Sequence, residues 1–404
     1  MAELISGKGK SGTGSQLVYL SALYLFIYYG FGAFTPLITQ YYQSIQLSGT
    51  QIGLISAVTP IVSIVTQPLW GMICDKFQIR KGVLVFTLLA SGLVGLLFPA
   101  VSSFAFVLLL YTLLSVVQSA VVPVSDSIAL GYVKKHQMAF GDIRMWGAVG
   151  FAIAAFITGL LVERWGPEMI FYSYFLALAV AIFFLRPIPE EAGAAPKLNA
   201  SVLTGVKDLL RLPRFILFLI AAFFIFGSVN ANNIWFSLYY QEIGGSVAGV
   251  GVAFLLFAGS EAPFMKLAGY LVRRWGLELT IILAGSVSAI RWFWYSSAPS
   301  TTAVLALFFL QGISAGFYLA TAAQFVRENT PASLQVTALA LFFSVGHGLG
   351  TMVCNLTAGV IKDTFSMLTI YLFFGAVTAV GLIPLLLIRY GPWKHAEEEM
   401  RATQ

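Results

Sequence analysis

A helix must supply about 20 mainly apolar residues to cross the hydrocarbon core of a bilayer. This chain meets that requirement repeatedly along its 404 residues. Runs of the necessary length lie at 17–42, 51–74, 82–101, 104–131, 141–162, 168–186, 215–240, 247–272, 279–297, 302–325, 334–360 and 366–388. Inside lipid every backbone N–H and C=O needs a partner within the protein, so runs of this length are read as helices. Composition agrees: 58% of residues are hydrophobic and 10% charged, against about 45–50% and about 25% in soluble domains. A soluble globular domain, a single-strand nucleic-acid binder, a disulfide scaffold and a disordered chain are all disfavoured. Cys74 and Cys354 lie in or beside apolar runs far apart, and are expected as buried thiols rather than a disulfide. The first run is too long for a signal-peptide core and has no cleavage-like end, so it is read as a retained helix.

Basic residues orient the twelve spans. With the N-terminus inside, the cytoplasmic segments hold 18 Lys and Arg, among them Lys76, Arg80, Lys81, Lys134, Lys135, Lys197, Arg273, Arg274, Lys394 and Arg401. The outer loops hold only Arg164 and Lys362, while Arg144, Lys266 and Arg291 stay within spans. That asymmetry is a strong positive-inside signal and places both termini in the cytoplasm. The longest non-apolar stretch, 187–214, then separates a six-helix bundle at 1–186 from a second at 215–404 that ends in a short cytoplasmic tail. Its composition suits a tether with an amphipathic surface piece.

One pattern recurs four times at the end of an apolar run. The copies begin at Gly71, Gly159, Gly269 and Gly359 and end in Asp75-Lys76, Glu163-Arg164-Trp165-Gly166, Arg273-Arg274-Trp275-Gly276 and Asp363. The glycines are 88, 110 and 90 positions apart, a spacing that fits three-helix units with the tether in the middle. Copies one and three face the cytoplasm, two and four face outside. Inverted three-helix repeats within each half, with the halves repeating in parallel, are the build of a rocking secondary transporter.

A charge at the bilayer centre costs about 2.5–3.5 kcal/mol on insertion scales, so each one requires a reason. Asp126 and Arg144 lie on consecutive helices, both one to two turns in from a shared hairpin, and can meet at similar depth. Pairing is the cheapest way to keep both charges in a low-dielectric site. The pair could serve as a clamp between helices, or as a fork of donors and acceptors for a hydroxylated or carboxylated solute. Glu261 precedes Pro263, where the helix should kink, and is a candidate proton carrier and solute ligand. Arg291 on the next span is a possible partner for it, while Lys266 lies nearer a helix end and can snorkel. His347 is mid-span, and histidine changes charge near neutral pH, so coupling and packing roles are both open. Asn230, Asn232, Asn233, Gln311, Ser314 and Tyr318 supply amides and hydroxyls that suit a hydroxyl-rich solute or glue helices together. Tyr24, Tyr28, Tyr29, Phe151 and Trp235 could stack on a ring.

The stretch Gly71-Met-Ile-Cys-Asp75-Lys76-Phe-Gln78-Ile-Arg80-Lys81 resembles the signature loop of the major facilitator superfamily, with Gln78 where glycine is usual. Phe140-Gly-Asp-Ile-Arg144-Met-Trp-Gly147, with an acid eighteen residues before the arginine at Asp126, is similar to the oligosaccharide:proton symporters of the lactose-permease type and to the related phenylpropionate and nucleoside permeases. Ala284-Gly-Ser-Val-Ser-Ala-Ile-Arg291 likewise matches the span-nine arginine of that group. The resemblance implies that Asp126 and Arg144 bind the solute, that Phe151 stands where a tryptophan stacks on the sugar, and that Gly71, Asp75, Lys76, Arg80 and Lys81 form a gating loop. It also shows a thinned acid–base set. The span-ten lysine, histidine and glutamate become Gln311, Ser314 and Phe317, the span-seven acids become Asn230 and Asn233, and the span-eleven lysine becomes His347. Glu261, Asp126 and His347 are then the remaining candidates for proton coupling.

Two enzyme-like patterns fail on context. Gly312-Ile-Ser314-Ala-Gly316 matches a nucleophile elbow but lies inside an apolar helix. Gly9-Lys10-Ser11 lacks the first glycine and the preceding strand of a phosphate-binding loop. No metal or other cofactor is expected, and no nucleic acid. Span five also lacks the glycine-proline motif of drug antiporters, which tilts the reading towards uptake. The expectation is an all-α membrane protein of the inner membrane, an alternating-access importer of a sugar or nucleoside with protons, acting as a monomer. The solute would bind between the halves at Asp126, Arg144, Glu261, Arg291, Phe151, Asn230, Asn233, Gln311 and Ser314. An aromatic-acid permease and a drug or metabolite efflux antiporter are the alternatives.

Overall fold

The computed structural model describes residues 8–136, 138, 140–188 and 202–391. Lys197, Lys394, Arg401 and most of the expected tether lie outside those residues. Among the described residues there is no strand. The helices run α1 Lys8–Phe34, α2 Ile38–Ser44, α3 Gly49–Phe77, α4 Arg80–Leu97, α5 Phe104–Gln118, α6 Val121–His136, α7 Phe140–Trp165 and α8 Met169–Leu185. They continue with α9 Val202–Leu209, α10 Pro213–Glu242, α11 Val247–Trp275, α12 Leu277–Ser296, α13 Thr301–Ala306, α14 Leu310–Asn329, α15 Gln335–Phe343, α16 Thr351–Thr364 and α17 Met367–Tyr390. A π-helical segment, Ser344–Gly350, joins α15 to α16.

Ten of these helical spans are long and apolar enough to cross a membrane, and α11 makes an eleventh if its two arms are one span. Its arms, Val247–Glu261 and Pro263–Trp275, meet at 41°. The expected kink is therefore present, because Pro263 has no N–H for the carbonyl one turn back and its ring crowds that carbonyl. The remaining expected run, 168–186, is the 17-residue helix α8, bracketed by Pro167 and Pro187.

The chain forms two compact units. Of the described residues, unit 1 takes in those before 46, those from 62 to 188 and 246–255, and unit 2 takes in 46–61, 202–245 and those from 256 on. The long helices α3 and α11 thus each divide between the units. In unit 1, α1 lies backbone to backbone on α7. A Cβ added at Gly150 would strike the Leu25 carbonyl, and one at Gly32 would strike the Phe151 backbone. Small residues let helices close to this distance in lipid, where apolar area alone does not favour protein contacts over lipid ones. In unit 2, α10 is the most deeply enclosed span, with 67% of its apolar window buried. Its Phe218 and Phe226 pack with Tyr318, Phe325 and Phe342, and Leu209 of α9 joins the same cluster.

The repeated motif acquires a structural meaning here. Asp363, in the fourth copy, accepts hydrogen bonds from Gly49 N at 2.6 Å and Thr50 N at 2.7 Å, at the first turn of α3. Glu163, in the second copy, accepts one from Ala248 N at 2.8 Å, at the first turn of α11. Each helix also has a serine at its start, Ser48 Oγ accepting from Gln51 N and Ser246 Oγ accepting from Gly249 N. The first amides of a helix have no intrahelical acceptor and carry partial positive charge, so both acids satisfy donors and complement the dipole. In the first copy Asp75 instead pairs with Arg80 at 3.4 Å. Gln78 of that loop has φ +53°, the left-handed region that the usual glycine adopts freely, and its Nε2 donates to Asp75 O at 2.7 Å. Lys81 Nζ donates to Arg186 O and Ile188 O, just past the end of α8.

Candidate solute-binding site

In unit 1 the hairpin between α6 and α7 brings the two charges together. Arg144 Nη1 lies 2.8 Å from Asp126 Oδ1 and 2.8 Å from Oδ2. The pair is not sealed: 44% of the arginine side chain and 27% of the aspartate side chain remain exposed. Tyr24 of α1, fully buried, donates its hydroxyl to Asp126 Oδ1 at 2.6 Å. Tyr28, one turn further on, stacks with Tyr24 at 6.1 Å between ring centroids, and the Arg144 guanidinium lies 5.5 Å from the Tyr28 ring and 6.0 Å from the Phe140 ring. Helical spacing explains the arrangement, since residues four apart share a face and the close α1–α7 contact presses that face against Arg144. A carboxylate gripped by two donors, beside a half-exposed guanidinium and aromatic rings, can offer acceptors, donors and an apolar platform to one solute. Phe151, two turns along α7, meets Phe254 at 6.1 Å.

Unit 2 treats its charges differently. Arg291 is 2% exposed, its guanidinium 4.1 Å from the Trp292 ring and 5.8 Å from the Tyr295 ring. None of its three nitrogens has a hydrogen-bond partner, and among the described residues it forms no ion pair with Glu261 or any other acid. The expected Glu261–Arg291 pairing is therefore not made. Glu261 lies half-buried at the bend of α11. Asn230 Nδ2 meets His347 Nδ1 at 3.1 Å, and His347 Nε2 is buried without a partner. Gln311 and Ser314 are buried, and Gln311 Oε1 and Asn233 Oδ1 likewise lack partners. Lys266 is exposed, as a snorkelling lysine would be.

The helix-joining role expected as one reading of the span-seven polarity is seen where Asn232 accepts a hydrogen bond from Tyr371 and Asn355 one from Trp235. Two features were not foreseen. Tyr24 stacks on Tyr28 and also donates its hydroxyl to Asp126. His347 sits in a π-helical segment, a local widening that often marks functional positions in helices. The run Gly346-His347-Gly348-Leu349-Gly350 was the available signal.

Helices of this length and apolarity, carrying a part-exposed ion pair within spans, mark a multi-pass integral membrane protein of the solute-transporter class. The chain belongs to the MFS_1 like family, which it matches over residues 17–373, and so to the major facilitator superfamily expected from the loop and the Asp126–Arg144 spacing. It is 38% identical over 380 residues to a maltose permease of Geobacillus stearothermophilus, covering 94% of this chain and 96% of that one. It is 25% identical to a lactose permease of Klebsiella oxytoca, covering 82% and 84% of the two chains. Among solved structures, the nucleoside transporter NupG superposes with a TM-score of 0.82 at 15% identity, covering 93% of this chain and 99% of that one, a likeness of fold.

Proposed function

We propose that this chain is a secondary active transporter that imports a neutral hydroxylated solute, foremost a disaccharide such as maltose, together with protons by alternating access. The observation that carries the reading is the half-exposed Asp126–Arg144 pair beside the Tyr28 and Phe140 rings. Sugar hydroxyls donate and accept in alternation, which suits a carboxylate and a guanidinium held side by side. The likeness to a maltose permease over most of both chains supports the same class. An aromatic acid would bring its carboxylate towards Asp126, and like charges in a poorly solvated site repel. Nothing in the site favours an efflux antiporter.

In this reading the twelve runs are twelve spans in two six-helix bundles, 1–186 and 215–404, with 187–214 as a cytoplasmic linker and both termini in the cytoplasm. The protein acts as a monomer. Asp126, Arg144 and Phe151 hold the solute from one half. Glu261, Arg291, Asn230, Asn233, Gln311 and Ser314 serve from the other, with Glu261 as the proton carrier and Asp126 and His347 as further candidates. Gly71, Asp75, Lys76, Arg80 and Lys81 form the gate, whose helix-end and ion-pair contacts break as the bundles rock.

The test is external pH in lightly buffered, de-energised cells expressing the chain, while maltose, nucleosides and aromatic acids are added in turn. Alkalinisation with maltose, lost in Glu261→Gln, is the expected result. Radiolabelled maltose crossing with no pH change would replace proton symport by uniport or another coupling ion. No uptake of maltose would overturn the substrate class.

A further inference from the structure

We propose that Tyr24 is a positioning residue for solute recognition, holding the Asp126 carboxylate so that the Asp126–Arg144 pair reads adjacent hydroxyls on a neutral sugar. The proposal rests on the transport reading above and adds to it a residue and a reason for the solute's chemistry.

The argument begins with the acceptors of the carboxylate. Oδ1 takes the Tyr24 hydroxyl at 2.6 Å and Arg144 Nη1 at 2.8 Å, while Oδ2 takes only Nη1, at 2.8 Å. Each carboxylate oxygen can accept about two hydrogen bonds, so Oδ1 is filled and the open position is on Oδ2. Arg144 commits Nη1 to the carboxylate and its other nitrogens donate to no carboxylate, with the side chain 44% exposed. One open acceptor therefore lies beside the remaining guanidinium donors, which the Tyr28 hydroxyl shares with solvent. A hydroxyl giving its proton to Oδ2, with a neighbouring hydroxyl oxygen accepting from the guanidinium, fits this pattern. A solute carboxylate brings no proton for Oδ2 and adds a second negative charge.

The phenol defines which oxygen is open. Tyr24 is fully buried and its ring stacks on Tyr28, on a helix whose next residue, Leu25, meets Gly150 backbone to backbone. Burial and stacking hold the ring beside the carboxylate. Without the hydroxyl, Asp126 would keep its ion pair but could turn about its terminal torsion, which is broad and soft, and offer its open acceptor in several directions. Loss of orientation weakens recognition more than it weakens the fold.

The test is Tyr24→Phe, which removes the hydroxyl and keeps the ring. Initial rates of radiolabelled maltose uptake are compared with wild type at equal membrane amounts. The expected result is a KM raised about tenfold with kcat within about twofold, the size expected for one hydrogen bond to a charged group. Purified in detergent, the variant should melt within a few degrees of wild type without sugar, yet need about tenfold more maltose for the same ligand-induced rise. An unchanged KM overturns the proposal, as does a fall in kcat alone, which would assign Tyr24 to translocation. Failure of the variant to accumulate in the membrane overturns it too, marking Tyr24 as a packing residue. Absence of maltose uptake by wild type is a separate result, because it removes the transport reading itself.

Discussion

Two arginines in this protein carry the same charge into the same kind of environment and end in opposite situations. Arg144 of unit 1 is paired with Asp126, which is itself gripped by Tyr24, and 44% of its side chain is open. Arg291 of unit 2 is 2% exposed, lies against Trp292 and Tyr295, and has no acid and no hydrogen bond. The part-exposed pair keeps some of its hydration, whereas Arg291 is desolvated among aromatic rings and the Tyr295 and Tyr371 side chains with no carboxylate to offset the cost. The contrast separates an ion pair that stays partly open to solvent from a cation that is poorly satisfied in the conformation seen here.

The strongest way to break the comparison is to make Arg144 resemble Arg291. Asp126→Asn removes the acid, and Arg144→Ala removes the cation. Each is expected to lower maltose uptake at least about 100-fold, because each removes charged partners proposed to hold the solute, at about 1.5–3 kcal/mol per hydrogen bond to a charged group. Uptake rates at matched membrane amounts check this, and normal transport by both variants would remove the site. Next in size, Arg291→Met replaces the unpartnered cation with an apolar side chain of similar length. The expected outcome is a melting temperature a few degrees higher with uptake about tenfold lower. A lower melting temperature would mean that Arg291 is satisfied where it stands. The smallest effects belong to Glu163→Gln and Asp363→Asn, which touch neither arginine. Each loses a charge-assisted cap at the start of α11 or α3, worth about 1 kcal/mol. They should lower the melting temperature by a few degrees and leave the KM for maltose within about twofold, setting the scale for an acid that holds helices rather than solute.

Much of this was legible in the linear order of residues, for an identifiable reason. Lipid offers no hydrogen bonds, so an apolar run of sufficient length has one structural solution, and the helices follow from counting. The bend at Pro263 follows from a missing N–H, and the meeting of Asp126 and Arg144 follows from a short hairpin that places both at one depth. These are local consequences. The count of spans was less secure at 168–186, where prolines on both sides hold the helix to 17 residues.

What only the tertiary structure decided concerns partners brought from far along the chain. Tyr24 and Asp126 are 102 positions apart, and a tyrosine that stacks and a tyrosine that donates read identically until α1 is laid on α7. Asp363 and Gly49 are 314 apart, so the repeated acids were visible as a pattern while their acceptor role at two helix starts was not. Arg291 and Glu261 lie on consecutive helices and could pair, yet the Arg291 guanidinium folds along α12 onto the ring of its own neighbour, Trp292. Sequence alone determined which segments are helices and which charges need an explanation, because the solvent imposes both residue by residue. The structure alone decided which of those charges are paired, because helix rotation and contact depend on packing among segments distant in the chain.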